Sequence, residues 1–193
     1  MRTINLNGYI DEDVWYGDEI TPAMLHDVLY GENSEFSDDV RIILNSYGGS
    51  CNAAVRMHDD IRAYPGRVHL VISGTAASAA TVLSAAADTL EMTPGSLYMI
   101  HDPSTVAWGN ERDFGEAIAL LKACKESILN IYSRRSPMRH SAAWGFLHII
   151  IGGSRHDHLY SQGQEIRGGF HLRARTARDG TRSENVCPNR SAV

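Results

Sequence analysis

Short apolar runs alternate along the first two-thirds of the chain with glycine turns and with stretches whose apolar positions recur every three or four residues. Val40-Arg-Ile-Ile-Leu-Asn45 is rich in β-branched residues and ends at Ser46-Tyr-Gly-Gly-Ser50, which predicts a buried strand entering a glycine turn. From Cys51 to Ala63 the residues Ala54, Val55, Met57, His58 and Ile61 fall on one side of a helix, and Pro65-Gly66 stops it. Arg67 to Ser73 is a second apolar strand, closed at Gly74-Thr75, and Ala76 to Ala87 is a second helix made almost wholly of small residues. Small side chains let such a helix lie close against a sheet or another subunit. Thr89 to Thr93 and Ser96 to Ile100 are short strands separated by Pro94-Gly95, and the second delivers His101 at its end. After an irregular stretch from Asp102 to Asn110, Glu111 to Arg135 carries Phe114, Ile118, Leu121, Cys124, Ile128, Ile131 and Tyr132 at helical spacing, a stripe suited to a core or a neighbouring subunit. Alternating strands and helices predict an α/β fold with substantially parallel strands, and such folds place chemistry in the turns at the carboxyl ends of strands.

Charge divides the chain in two. Residues 1–132 hold 8 Lys+Arg against 19 Asp+Glu, a net of -11, whereas residues 133–193 hold 10 Arg against 4 Asp+Glu, a net of +6. The expectation is one globular domain over residues 1–135 and a divergent tail over residues 136–193, poorly ordered rather than a nucleic-acid-binding arm. No window approaches the roughly 18 consecutive apolar residues of a membrane span. The N-terminus lacks the pattern of a secretory signal, so a cytoplasmic location is expected. Cys51, Cys124 and Cys187 have no zinc-site spacing and are expected to be reduced thiols.

Candidate chemistry gathers in three turns. Ser78 lies where a strand turns into a helix, so the free N–H groups of the helix start can favour negative charge developing near its hydroxyl. A serine there can equally be a small helix residue or an N-cap. Gly48-Gly49 lets the backbone approach a ligand and aim an N–H into a site, although paired glycines also make plain turns. His101 at a strand end can act as a base near neutral pH or be a structural histidine.

Taken together, Asn45-Ser-Tyr-Gly-Gly49, Gly74-Thr-Ala-Ala-Ser78-Ala79 and Met99-Ile-His101-Asp-Pro103 closely resemble, in order, the three motif blocks of the Clp peptidase family. Trp15-Tyr-Gly-Asp-Glu-Ile-Thr21 and Trp108-Gly-Asn110 further resemble its phage or prophage branch, which is associated with capsid maturation. The resemblance implies a crotonase-like spiral of strand-strand-helix units and a serine endopeptidase acting through an acyl-enzyme. It makes Ser78 the nucleophile, His101 its base, and the amides of Gly49 and Ala79 the oxyanion hole. It also implies a homo-oligomeric ring in which the helix from Glu111 to Arg135 joins two rings, a peptide or protein substrate, and a Clp-type ATPase partner. No cofactor and no metal are implied, and with no Walker-type loop in the sequence any ATP hydrolysis belongs to another chain.

Two positions depart from the family pattern. Tyr47 stands where proline is usual, and beyond Arg135 the segment bearing the third acidic residue of the triad is not recognisable. Spacing puts that acid near Ile150, inside the apolar run Leu147-His-Ile-Ile-Ile151, and an isoleucine cannot orient an imidazole. Three explanations stand: a weak enzyme or non-catalytic assembly subunit, an acid supplied by Asp102 or Asp157, or a change of reading frame that replaced the carboxyl-terminal third. The abrupt change to Arg, His, Ser and Gly without Lys favours the last.

Overall fold

The computed structural model describes residues 1–31 and 38–135, together with the strand backbones 148–152, 159–161 and 164–165. Among the described residues, ten strands and four helices follow in the order β1 (Arg2–Asn7), β2 (Tyr9–Ile10), β3 (Glu19–Ile20), α1 (Pro22–Tyr30), β4 (Val40–Ser46), α2 (Cys51–Ala63), β5 (Val68–Ala77), α3 (Ala79–Ala86), β6 (Thr89–Met92), β7 (Leu97–His101), α4 (Glu111–Arg135), β8 (His148–Gly152), β9 (Leu159–Ser161) and β10 (Gln164–Glu165). The α/β expectation holds, with β1, β4, β5, β6 and β7 all parallel.

Strand β5 organises the sheet. One edge pairs with β4, while the other takes β6 along its first half, His69 to Ile72, and β7 along its last residues, Thr75 to Ala77. Alternation along β4 turns Val40, Ile42 and Leu44 into the core, where each is fully buried. Burial of each such aliphatic side chain stabilises the fold by about 1.5–3 kcal/mol. Against them pack Leu25 and Leu29 of α1, Met57 and Ile61 of α2, and Val82 and Leu83 of α3.

Three expectations need correction. Strand β5 does not stop at Gly74: the ladder with β4 slips between Leu44, opposite Ile72, and Ser46, opposite Ala76, so the glycine lies in a bulge and the strand resumes as far as Ala77. Across the slip, the side-chain amide of Asn45 accepts the Thr75 N–H at 2.9 Å and donates to the Asn7 side chain at 2.7 Å, replacing ladder bonds. Helix α3 therefore starts at Ala79 rather than Ala76. Its small residues face this subunit's own core, Ala80, Thr81, Val82, Leu83 and Ser84 being fully buried, and leave no apolar face for another copy.

The amino-terminal elements were not anticipated. Helix α1 begins at Thr21, whose hydroxyl accepts the Met24 N–H at 3.2 Å, with Pro22 at its first position. No helix among the described residues is long and apolar enough to cross a membrane. Most of residues 136–193 lies outside the described residues. Strand β8 pairs antiparallel with β7, β9 pairs antiparallel with β8, and β10 with β9.

Candidate active site

Ser78 occupies the single residue between β5 and α3, and its backbone is unusual. Its φ of 56° is the only positive value at a non-glycine among the described residues. A side chain in such a conformation costs on the order of 1–3 kcal/mol unless its surroundings enforce it. They do so here at both ends. The Ser78 N–H donates to the Met99 carbonyl of β7 at 2.8 Å, and the Ser78 carbonyl accepts from the Thr81 N–H at 3.0 Å and the Thr81 hydroxyl at 2.6 Å. The Ser78 side chain makes no capping bond to α3, so the structural role of an N-cap is not the one it plays. As the first residue of the helix, Ala79 has no carbonyl one turn earlier to receive its N–H.

The glycine loop lies directly against this turn. Gly48 has φ 95°, and a Cβ built on it would stand 2.6 Å from the Ala77 carbonyl oxygen, 2.7 Å from the Ser78 Cβ and 2.9 Å from the Ala79 nitrogen. Only a glycine lets the two segments meet so closely. Gly49 is held by the amino-terminal strand: Ile10 donates to the Gly48 carbonyl at 2.9 Å, and its own carbonyl accepts from Ser50 at 2.8 Å. That contact depends on β2 pairing with β3, whose Glu19 is buried and accepts the N–H groups of Tyr16 and Gly17, each at 2.9 Å. Burial alone would raise the Glu19 carboxyl, but the surrounding backbone N–H donors outweigh it and hold the group below its usual range. Ile10 and Glu19 thus support the site. The only sequence trace of this is the Trp15 to Thr21 segment.

His101 ends β7, two residues beyond Met99, and lines the same cavity as Ser78, Ala79 and Gly49. All four residues singled out in the sequence therefore come together. Asp102, one candidate for orienting the histidine, is in an ion pair with Lys125 of α4 at 2.7 Å. Asp157, the other, lies outside the described residues. Ile150 sits in β8 at the register position opposite Met99, and His148 opposite His101.

The cavity encloses about 270 Å³. Its lining also includes Cys51 of α2 and Leu121, Cys124, Ile128 and Tyr132 of α4, a largely apolar set. Cys51 and Cys124 are free thiols. Burial, with Cys124 adjoining, pushes the Cys51 thiol up to about 11, so it stays protonated and is unsuited to act as a nucleophile near neutral pH. Burial also drives the Tyr132 hydroxyl well above the usual phenol range, with Tyr98 adding to the effect and the Thr81 hydrogen bond opposing it. Tyr132 is therefore a neutral hydrogen-bond donor. Sequence reading placed it on the α4 stripe but gave no sign of its bond.

The chain is similar to known proteins in both sequence and fold. The ATP-dependent Clp protease proteolytic subunit 1 of Gloeobacter violaceus is 30% identical over 121 residues, covering 62% of this chain and 61% of the relative. The ATP-dependent Clp protease proteolytic subunit of Streptococcus mutans is 29% identical over 136 residues, covering 67% of this chain and 66% of the relative. The chain thus spans less than two thirds of the length of the curated relatives it matches. Among solved structures, a ClpP1 mutant from Listeria monocytogenes superimposes with a TM-score of 0.64 at 21% identity, over 75% of this chain and 78% of that one, and so shares the fold. The family model for Clp protease matches residues 2–142, a span that includes the glycine loop, the Ser78 turn and His101, and on that match the chain belongs to the Clp protease family.

Proposed function

We propose that this chain is a serine endopeptidase in which Ser78 attacks the carbonyl of a peptide bond. The observation that carries the reading is the enforced positive φ of Ser78 at a strand-to-helix turn, on a cavity shared with His101, Gly49 and Ala79. In the first step the Ser78 Oγ bonds to the carbonyl carbon and its proton passes to His101. Negative charge gathers on the former carbonyl oxygen, within reach of the Gly49 and Ala79 N–H groups. Such donors are worth about 10²–10³ in rate each when aimed at a developing oxyanion. The C–N bond then breaks as the amine takes the proton from His101; water next attacks the acyl carbon while giving a proton to His101, and the ester bond to the Ser78 Oγ breaks as His101 returns that proton to it, releasing the carboxylic acid. The largely apolar lining from α2 and α4 suits an uncharged substrate side chain.

Homo-oligomeric ring assembly, a cytoplasmic location and a Clp-type ATPase that feeds protein substrates are part of this proposal, supported by the family and by the names of its relatives, which are called ATP-dependent. A role in phage capsid maturation rests on the Trp15 to Thr21 and Trp108 to Asn110 resemblances alone.

A second reading, a catalytically impaired assembly subunit, is favoured by one observation. The position where spacing places the orienting acid holds Ile150, in the strand beside β7. Loss of that acid lowers turnover about 10⁴-fold in a serine triad. Hydrolysis of a fluorogenic peptide by the parent and by Ser78→Ala distinguishes the two. The endopeptidase reading expects measurable cleavage that disappears in the variant. Equal rates in both would refute it.

A further inference from the structure

Two tyrosines, Tyr98 buried and Tyr132 partly buried, end chains of hydroxyl groups on α3, and the proton directions are fixed by counting. Thr81 has one hydroxyl proton. It is donated to the Ser78 carbonyl at 2.6 Å, so in the 2.5 Å contact between the Thr81 and Tyr132 hydroxyls the tyrosine must be the donor. Likewise Ser84 donates to the Thr81 carbonyl at 2.7 Å, which makes Tyr98 the donor in its 2.9 Å bond to Ser84, the same hydroxyl also reaching the Thr81 carbonyl at 3.4 Å. One relay thus runs from Tyr132 on α4 through Thr81 to the Ser78 carbonyl. The other runs from Tyr98 on β7 through Ser84 to the Thr81 carbonyl.

The first relay ends on an informative atom. The Ser78 carbonyl and the Ala79 N–H belong to one planar peptide group, and in a trans peptide they point in opposite directions. Holding the oxygen toward α3 with two donors, the Thr81 N–H and hydroxyl, therefore aims the Ala79 N–H out of the amino-terminal end of the helix. Hydrogen bonds accepted by the carbonyl also polarise the amide and strengthen its N–H as a donor, by about 10–30% per bond. A side chain at Gly48 would crowd that N–H, since its Cβ would stand 2.9 Å from the Ala79 nitrogen.

We propose that Thr81 and Tyr132 are positioning residues for the oxyanion donor: the Tyr132–Thr81 relay fixes and polarises the Ser78–Ala79 peptide group, and so acts on the transition state rather than on substrate binding. The proposal rests on the reading of Ser78 as the nucleophile. It adds a side chain from α4 to the determinants of turnover.

The test uses the full chain as parent, Thr81→Val, Thr81→Ser and Tyr132→Phe, with peptide kinetics, thermal unfolding and a crystal structure of the parent and the valine variant. Thr81→Val and Tyr132→Phe should lower kcat about tenfold with KM within about twofold, since each removes a hydrogen bond whose effect on the Ala79 donor the substrate feels only when the oxyanion forms. Thr81→Ser, which keeps the hydroxyl, should recover most of the rate, and the Ser78–Ala79 peptide plane should be rotated in the valine variant. Unchanged kcat, a rise in KM alone, or a serine variant as slow as the valine one would overturn the proposal. If the parent neither cleaves peptide nor reacts with a fluorophosphonate, the peptidase reading fails instead, and the crystal structures still decide the positioning: a peptide plane unmoved by Thr81→Val overturns it.

Discussion

Helices α3 and α4 are both apolar enough to be placed from the sequence, yet the protein treats them in opposite ways. Helix α3 spans eight residues, of which only Ala85 is not fully in the core, and it carries the strained Ser78 at its start. Helix α4 spans twenty-five residues and meets the core only near its carboxyl-terminal end, through Ile128 and Leu129 with Ile131 and Tyr132 beside them. Its first half leaves Phe114, Ile118 and Leu120 roughly half exposed. A nucleophile turn requires surroundings that over-determine it, and α3 is enclosed on every side. An exposed apolar stripe on a long helix is instead the surface expected to meet another subunit.

The sharpest way to break this contrast is to make one substitution in both helices. Leu83→Ala in α3 empties a fully buried site and should destabilise the chain by about 2–5 kcal/mol, whereas Leu120→Ala in α4 should change it by less than about 0.5 kcal/mol. Chemical denaturation of both variants measures the difference. Similar losses at the two sites would mean that α4 is held as firmly as α3. Next in size, Phe114→Ser with Ile118→Ser should shift sedimentation toward smaller species while leaving circular dichroism unchanged, because the substituted side chains are outside the core. An unaltered distribution would remove the exposed half of α4 from any subunit contact.

The smallest effect expected is on pH dependence at the α2–α4 seam. The Cys51 thiol is raised from 9.0 to about 11 in the folded chain, so above its ordinary value the unfolded state has lost a proton that the folded state keeps. Stability should therefore be fully present below about pH 9 and decline as pH rises toward 11, and Cys51→Ala should flatten that part of the curve. A slope identical in parent and variant would show that the thiol is not the titrating group.

How much of this was legible depended on whether a signal was local. Helices α2 and α4 were read at their observed bounds because caps and periodicity lie within the elements themselves, Ser50 accepting the Ala53 N–H at the start of α2 and Pro65 following its end. The end of β5 was misplaced because Gly74, a stop signal by local rules, sits in a bulge that exists only through pairing with β4 and the Asn45 side chain. Motif order brought out Ser78, His101, Gly49 and Ala79, but the φ of Ser78 is set by Met99 and Thr81, and the placement of Gly49 by Ile10, thirty-nine residues away. Ring-shaped contacts of that range leave no periodicity to read. The roles of Thr81 and Tyr132 were hidden for the same reason, since hydroxyls fifty-one positions apart meet only in the folded chain.

The central claim is that the enforced turn makes Ser78 a nucleophile. Reaction of the full chain with a fluorophosphonate, followed by peptide mapping, tests it directly, because the reagent phosphonylates a serine only where its hydroxyl is activated. One equivalent bound at Ser78, and none in His101→Ala, is the expected result. Labelling spread over other serines, or no labelling at concentrations that modify an active serine peptidase run in parallel, would contradict it.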